Sequence, residues 1–328
     1  MKINYPVTIG AVLLILWPLF SRYTPLSNLL VAEILVYGLF AMSYNLALGY
    51  TGVLSFGHAA YFGLGAYMTA ISLAVLHLPL EVSIINGCLL GTAAGMVIAF
   101  IAFRRSGAYF AIITLAISMV FYYIGMMWID LTGGHDGITG IPLLKLSIGI
   151  SLNSITKKYY LILLVFLLCV FLQWRIINSP FGSVLQSIRE NEQRAGTCGY
   201  NTYWVKWWSF VISAFFSSVA GSMFIVLFET CELSLLYWTM SGTVLVITLF
   251  GGTGLFLGPF VGALVFIFMK DELSYYIEHW ELFTGALFIA IVLLLPKGIL
   301  GTLTDIFRRR SKELANDTDG VIGQEVSN

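Results

Sequence analysis

Runs of about twenty apolar residues recur along almost the whole chain, broken only by short polar stretches, and this leaves few ways to fold. Each run is long enough to cross the hydrocarbon core of a bilayer as a helix. Lipid offers no hydrogen bonds, so a spanning segment must satisfy its own backbone, and runs of this length do so as helices rather than as barrel strands. Only 10% of the 328 residues are charged, against about 25% in soluble domains. The expected fold class is all-α, a polytopic membrane protein.

The pattern predicts ten spans, near 7–24, 29–49, 54–76, 83–103, 107–129, 158–175, 207–229, 236–250, 255–270 and 281–296. Lys and Arg concentrate on the cytoplasmic side of membrane proteins. With the N-terminus inside, Lys2, Arg104, Arg105, Arg175, Arg189, Arg194, Lys206, Lys297, Arg308, Arg309, Arg310 and Lys312 face the cytoplasm. Arg22, Lys145, Lys157, Lys158 and Lys270 face outward. Fusing 236–270 into one span would move Arg308–Arg310 outside, so a break at Gly251-Gly252-Thr253-Gly254 is expected. Residues 1–307 then form one transmembrane domain and 308–328 a polar cytoplasmic tail. The segment after residues 7–20 lacks a small-x-small cleavage pattern, which favours an uncleaved first span over a signal peptide. A weak internal echo links Gly49-Tyr50-Thr51-Gly52-Val53 to Gly251-Gly252-Thr253-Gly254-Leu255.

Residues 179–199 do not belong in lipid. Pro180 suits a first helical position and Ser179 a cap. Phe181, Val184, Leu185 and Ile188 recur at helical spacing, while Arg189, Glu190, Glu192, Gln193 and Arg194 form a polar end; Gly196 or Gly199 can stop the helix. Such a helix lies on the cytoplasmic face and offers a knob to a soluble partner. The stripe has two faces to meet, this chain's own inner surface or the partner. In the docking reading the charges are rim contacts that set orientation and the apolar stripe supplies affinity; the alternative is a solvated amphipathic helix lying on the bilayer surface.

Chemistry is sparse. Of the carboxylates, only Glu33 and Glu229 fall within predicted spans, each near an end, where Glu229 suits a cap or an outer mouth. Ion-coupled carriers keep an ionisable group at depth, and none is found. Nor is there a phosphate-binding Gly-x-x-x-x-Gly-Lys-Ser/Thr loop or a His-Glu-x-x-His pair. Any power source must be another subunit. The 17 basic and 17 acidic residues balance, which gives no reason to expect a nucleic-acid partner. The four cysteines show neither metal spacing nor an expected disulfide. The densest functional candidate is 45–67, where Asn45, Thr51, Ser55 and His58 are polar groups that must face protein or a solute pathway; packing and pathway readings both stand. Tyr109 and Thr114 lie in the next polar-marked helix. The outer segment around Gly133-Gly134-His135-Asp136-Gly137 is either a turn cluster or a docking surface.

These residues resemble a known family. Leu48-Gly49-Tyr50-Thr51-Gly52 with Leu54-Ser55-Phe56-Gly57-His58-Ala59-Ala60 is similar to the signature of inner-membrane permeases of branched-chain amino acid ABC importers, and most of all to their LivM-type subunit. The likeness continues through residues 109–116, Leu131-Thr132-Gly133-Gly134 with Asp136-Gly137-Ile138, Ser179-Pro180-Phe181-Gly182, Ile188-Arg189-Glu190-Asn191-Glu192, Gly199-Tyr200-Asn201 with Lys206, Phe250-Gly251-Gly252-Thr253-Gly254, Gly258-Pro259 and Pro296-Lys297-Gly298. The same family includes permeases for urea and short amides. The resemblance implies a type II-like importer in the bacterial inner membrane: two homologous permeases, two ATP-binding subunits, and a periplasmic or lipid-anchored solute-binding protein. It implies no cofactor in this chain, since ATP binds the partners. It carries the ATPase-coupling role onto Arg189, Glu190, Asn191, Glu192 and Gly199, and leaves Asn45, Thr51, Ser55, His58, Tyr109 and Thr114 as pathway candidates. A secondary carrier or channel is the rival of another class.

Overall fold

The computed structural model describes residues 14–18, 27–141, 146–147 and 151–276, and then 282–283, 285–286, 288–289, 293, 298–302 and 304. The expected spans 7–24 and 281–296 lie largely outside these residues, and the tail 308–328 lies wholly outside them. Within them the chain is helical, apart from turns and a single backbone bridge between Ile138 and Cys231.

The helices follow the apolar runs. We label them α1 (Asn28–Asn45), α2 (His58–Ala74), α3 (Leu80–Ala102), α4 (Ala108–Met127), α5 (Ile155–Ile177), α6 (Pro180–Glu190), α7 (Thr202–Phe228), α8 (Trp238–Gly251) and α9 (Gly258–Tyr276). Among the described residues, five helical stretches are long and apolar enough to cross a membrane: Asn28–Tyr50, Leu80–Ala102, Ala108–Met127, Ile155–Ile177 and Thr202–Phe228. The break between 236–250 and 255–270 is present, since α8 and α9 are separate helices. The span expected from residue 54 starts later, at His58, because residues 51–57 are unwound.

Burial sorts the helices. α1 is apolar on every side and buried almost continuously from Leu30 to Asn45, the pattern of a helix surrounded by protein. α7 is likewise buried over most of its length. α2 and α3 close on α7 through small residues, which let backbones approach where no hydrophobic force acts between helices. At Gly91 of α3 a Cβ would sit 2.1 Å from Ser218 Oγ and 2.9 Å from the Tyr61 carbonyl oxygen, so no larger residue fits. α4 buries only Phe110, Ala111, Thr114, Ser118 and Gly125, and turns Ile112, Val120, Ile124 and Met127 outward.

Successive helices alternate in direction, which gives the bundle two ends. One end gathers the 51–54 turn, the 103–108 loop, the C-terminal end of α6 and Lys206 around a shared groove. The other gathers Lys158 and Glu229, paired at 2.8 Å, with Glu33 and Lys270, paired at 3.2 Å. The two carboxylates that the sequence places inside spans are thus matched to lysines at one end. Glu229 is also the C-cap of α7, in the left-handed region at φ 55°.

Cys88, Cys169 and Cys231 are buried free thiols and Cys198 is an exposed one, which makes the native chain its own topology probe. A membrane-impermeant maleimide should label Cys198 only from the cytoplasmic side of oriented vesicles. In a Cys198→Ser background, Lys157→Cys should label only from the other side. Labelling of both positions from one side would overturn the orientation.

Candidate functional site

α1 does not end in an ordinary cap. After Asn45 its turns widen into a π-helical stretch, Leu46–Tyr50, and the chain then unwinds through Gly52, at φ 77°, to Gly57. π-turns inside helices recur at functional sites. Unwinding inside the bundle leaves backbone donors that need new partners. Side chains supply the partners. Thr114 Oγ1 accepts from Phe56 N at 3.2 Å, Ser55 Oγ from Gly57 N at 3.1 Å, and Ser241 Oγ from Ala59 N at 2.8 Å. The Tyr44 hydroxyl donates to the Ser55 carbonyl at 3.0 Å.

A second unwound segment, 252–257, separates α8 from α9, with Gly252 at φ 106° and Gly254 at φ 80°. The two segments that echo each other in sequence meet in space. Asn45 joins them: its Nδ2 donates to the Leu255 carbonyl at 2.9 Å, and its Oδ1 accepts from Gly254 N at 2.9 Å. One buried amide therefore satisfies both polarities of the facing turn. Gly49 permits the approach, because a Cβ there would lie 1.9 Å from Asn45 Oδ1 and 2.6 Å from Gly254 N.

Arg189, at the end of α6, completes the junction. Its guanidinium donates to the Gly49 carbonyl and lies against Gly254, while its stem covers Gly52. A cation at a helix C-terminus meets the unpaired carbonyls there favourably. The sequence reading made Arg189 a rim contact for a partner; the residue is exposed on the groove while its guanidinium also bonds this chain's own turn. The apolar stripe is also spent internally. Leu185 and Ile188 are buried, and Leu185 packs in a cluster with Leu46 and Tyr50, flanked by Phe181. Helix 179–199 is in fact two pieces. Asn191 adopts extended backbone (φ −158°, ψ 101°), and its Oδ1 caps a six-residue helix, Glu192–Thr197, by accepting from Arg194 N at 2.9 Å. An Asn side chain competes with helix continuation in this way. Ser179 makes no cap; its hydroxyl donates to the Ile176 carbonyl at 2.6 Å. Glu190, Asn191 and Gly199 are exposed, and Glu192 pairs with Lys206. A groove of about 500 Å³ runs between 51–54, 103–108 and 188–192, with Arg105, Glu190, Glu192 and Lys206 on its walls.

The remaining pathway candidates sit in this assembly with defined partners. Thr51 bonds Ser209 at 2.7 Å and donates to the Leu46 carbonyl at 2.9 Å. His58 Nε2 bonds Ser213 Oγ at 2.9 Å, its ring lies edge-on to Tyr44, and its Nδ1 has no partner among the described residues. Thr114 is buried between α4 and the unwound segment, whereas Tyr109, one turn earlier on α4, is 71% exposed. Reasoning from sequence missed the serines of α7. Ser209, Ser213, Ser217 and Ser222 reach, in turn, Thr51, His58, Ser43 and Thr69. Their near-regular four-residue spacing along an apolar helix was the available signal.

Fold and site together define a multi-pass membrane protein whose polar groups gather at braced turns, at the bundle ends and along the serine row of α7. The chain belongs to the family described as branched-chain amino acid transport system / permease component, whose model matches residues 26–292. It is similar to the high-affinity branched-chain amino acid transport system permease protein LivM of Salmonella typhimurium, with 24% identity over 289 residues, 81% of this chain and 68% of that protein. The probable branched-chain amino acid transport permease protein LivM of Methanocaldococcus jannaschii is 25% identical over 277 residues, 74% of this chain and 79% of that protein. The high-affinity branched-chain amino acid transport system permease protein LivH of Escherichia coli is 26% identical over 285 residues, 81% of this chain and 91% of that protein. No solved structure matches the chain.

Asn45→Ala removes two part-buried hydrogen bonds and leaves one donor and one acceptor of the facing turn without them, at a cost of about 1–3 kcal/mol in all. The purified permease should lose several degrees in thermal denaturation followed by intrinsic fluorescence. Gly49→Ala, which drives a methyl group into the same junction, should lose at least as much. An unchanged midpoint for both would remove Asn45 and Gly49 as the brace.

Proposed function

We propose that this chain is one of two permease subunits of an ATP-driven importer and forms half of the translocation pathway for a small neutral or zwitterionic solute, a branched-chain amino acid by preference. Urea or a short amide is the alternative cargo, and a secondary carrier or channel the alternative of another class. The setting is the bacterial inner membrane. The partners are a second homologous permease, two ATP-binding subunits that carry the nucleotide, and a periplasmic or lipid-anchored solute-binding protein. This chain needs no cofactor.

The observation that carries the reading is the junction of α6 with the two glycine turns, in a chain of this permease family. α6 presents Glu190 and Asn191 outward beside an open groove while Arg189 holds Gly49 inward. A soluble subunit that moves Glu190 and Asn191 therefore moves Arg189, and Arg189 moves the turns that end α1 and α8. Glu190, Asn191, Glu192 and Gly199 are then the contacts to the ATPase, and Arg189 is the link from that contact to the bundle. Asn45, Thr51, Ser55, His58 and Thr114 hold the shape of the inner end of the pathway, with exposed Tyr109 beside it. No charged residue lies mid-span among the described residues, which supports an external power source and an uncharged or zwitterionic cargo.

Uptake by the reconstituted complex should require ATP and survive ionophores. Glu190→Arg should leave membrane insertion intact, because the residue is exposed. It should lower ATPase co-purification on the order of tenfold or more. Arg189→Ala should behave differently, keeping the ATPase bound while solute-stimulated hydrolysis and uptake fall together. Wild-type association and coupling in both variants would refute the assignment, as would uptake driven by an ion gradient without ATP.

A further inference from the structure

At the end of the bundle away from Arg189, a cavity of about 380 Å³ opens between α1, α7, α8 and α9. It lies within the range of about 300–1,000 Å³ in which small-molecule sites fall. Its walls differ in chemistry. Phe224, Phe228 and Met240 make an apolar side, and Glu33, Glu232 and Lys270 line the rest. Lys270 Nζ stands 3.2 Å from Glu33 Oε1 and 6.0 Å from the centre of the Tyr37 ring. An ammonium carries three donors, and the Glu33 bond is the one that Lys270 makes among the described residues. Tyr37 also lines the cavity, within electrostatic reach of both Glu33 and Glu232. It is 8% exposed. A cation with spare donors, two carboxylates and an apolar wall thus face one cavity.

The geometry points to a binding site for a free α-amino acid with an apolar side chain, built from the Lys270–Glu33 pair, Glu232, Tyr37 and the Phe224–Phe228–Met240 wall. Lys270 and the Tyr37 hydroxyl receive the α-carboxylate. Glu33 and Glu232 receive the α-ammonium, and the aromatic wall receives the alkyl group. Lys270 and Glu33 are paired at 3.2 Å, so a solute that binds between them must separate them and replace each with its own opposite charge. A neutral amide has no charges with which to do this, and a bare carboxylate leaves the acidic side unmatched. The site thus selects a zwitterion over urea. The inference rests on the proposal that the chain carries amino acids, and it assigns that proposal a place.

The test uses the assembled complex in nanodiscs, with Cys198→Ser removing the exposed thiol and Thr239→Cys placing one at the exposed cavity rim. L-leucine should slow maleimide labelling of the new thiol at least fivefold. Urea should leave it unchanged, and isovalerate should slow it far less than leucine. Combining Glu33→Gln with Lys270→Met should abolish protection by leucine, and Lys270→Arg should retain it. Should the double variant fail to assemble, Phe228→Trp fills the apolar side without touching the charges, and it must lose protection by leucine while keeping protection by glycine. Uptake of leucine and of urea by the wild-type complex is measured in parallel. Leucine uptake without protection overturns this site and leaves the proposed function standing. Urea uptake without leucine uptake overturns the proposed function itself. Protection that persists in the double variant, or in Phe228→Trp, moves the bound solute elsewhere.

Discussion

A backbone amide buried in a helical bundle needs a protein partner wherever its helix stops, and the organisation of this chain follows from where its helices stop. α1 and α8 both end at glycine turns inside an otherwise helical bundle, and each turn frees backbone donors and acceptors from helical bonds. The answer is a set of short polar side chains drawn from distant parts of the sequence: Ser55 and Thr114 on one turn, Ser241 at the start of α2, and Asn45 across both turns. Removing one of them does more than lose a contact, because the bare group left behind costs more than the bond was worth.

The same requirement explains why α6 belongs to the bundle and is not simply laid on its surface. The Gly49 carbonyl at the end of the π-turn receives its donor from Arg189, a side chain outside the membrane segments. Leu185 and Ile188 anchor the helix that carries it. Buried stripe and inward guanidinium together make α6 part of the fold, and they leave Glu190 and Asn191 free. The mechanical linkage we propose needs a two-state element that both sites bias, and the paired glycine turns, which lack helical hydrogen bonds, are where it would act.

Much of this was legible in the sequence, for reasons that also mark its limits. Apolar runs predict the helices well because length and hydropathy are properties of single segments, and the split at 251–254 followed from charge asymmetry alone. The start of α2 at His58 was not legible, because unwinding of 51–57 depends on Thr114 and Ser241, remote in sequence. The polar residues chosen as pathway candidates are, Tyr109 apart, buried against protein, and the α7 serines that Thr51 and His58 meet went unread. Gly87, Gly91 and Gly95 of α3 also repeat at four-residue spacing in plain view, and their meaning needed the facing surface of Ser218 and Ala214. Arg189 was read by its charge as a rim contact, and the Gly49 carbonyl that it meets could not be read from sequence. Of the two faces left open to the stripe of α6, Leu185 and Ile188 are buried against this chain.

The two ends of the molecule are connected by the helices that bear these features. Glu33 and Asn45 lie on α1, about 18 Å apart at 1.5 Å per helical residue. At one end Glu33 ties α1 to Lys270, near the end of α9. At the other end Asn45 ties α1 to Gly254 and Leu255, just before α9 begins. α1 and α9 are therefore fastened to each other twice, by an ion pair at one end and by an amide clamp at the other, and they pack together between. Arg189 bears directly on the amide clamp through Gly49 and Gly254, so the surface proposed for a soluble partner and the charged cavity at the far end are built on the same two helices.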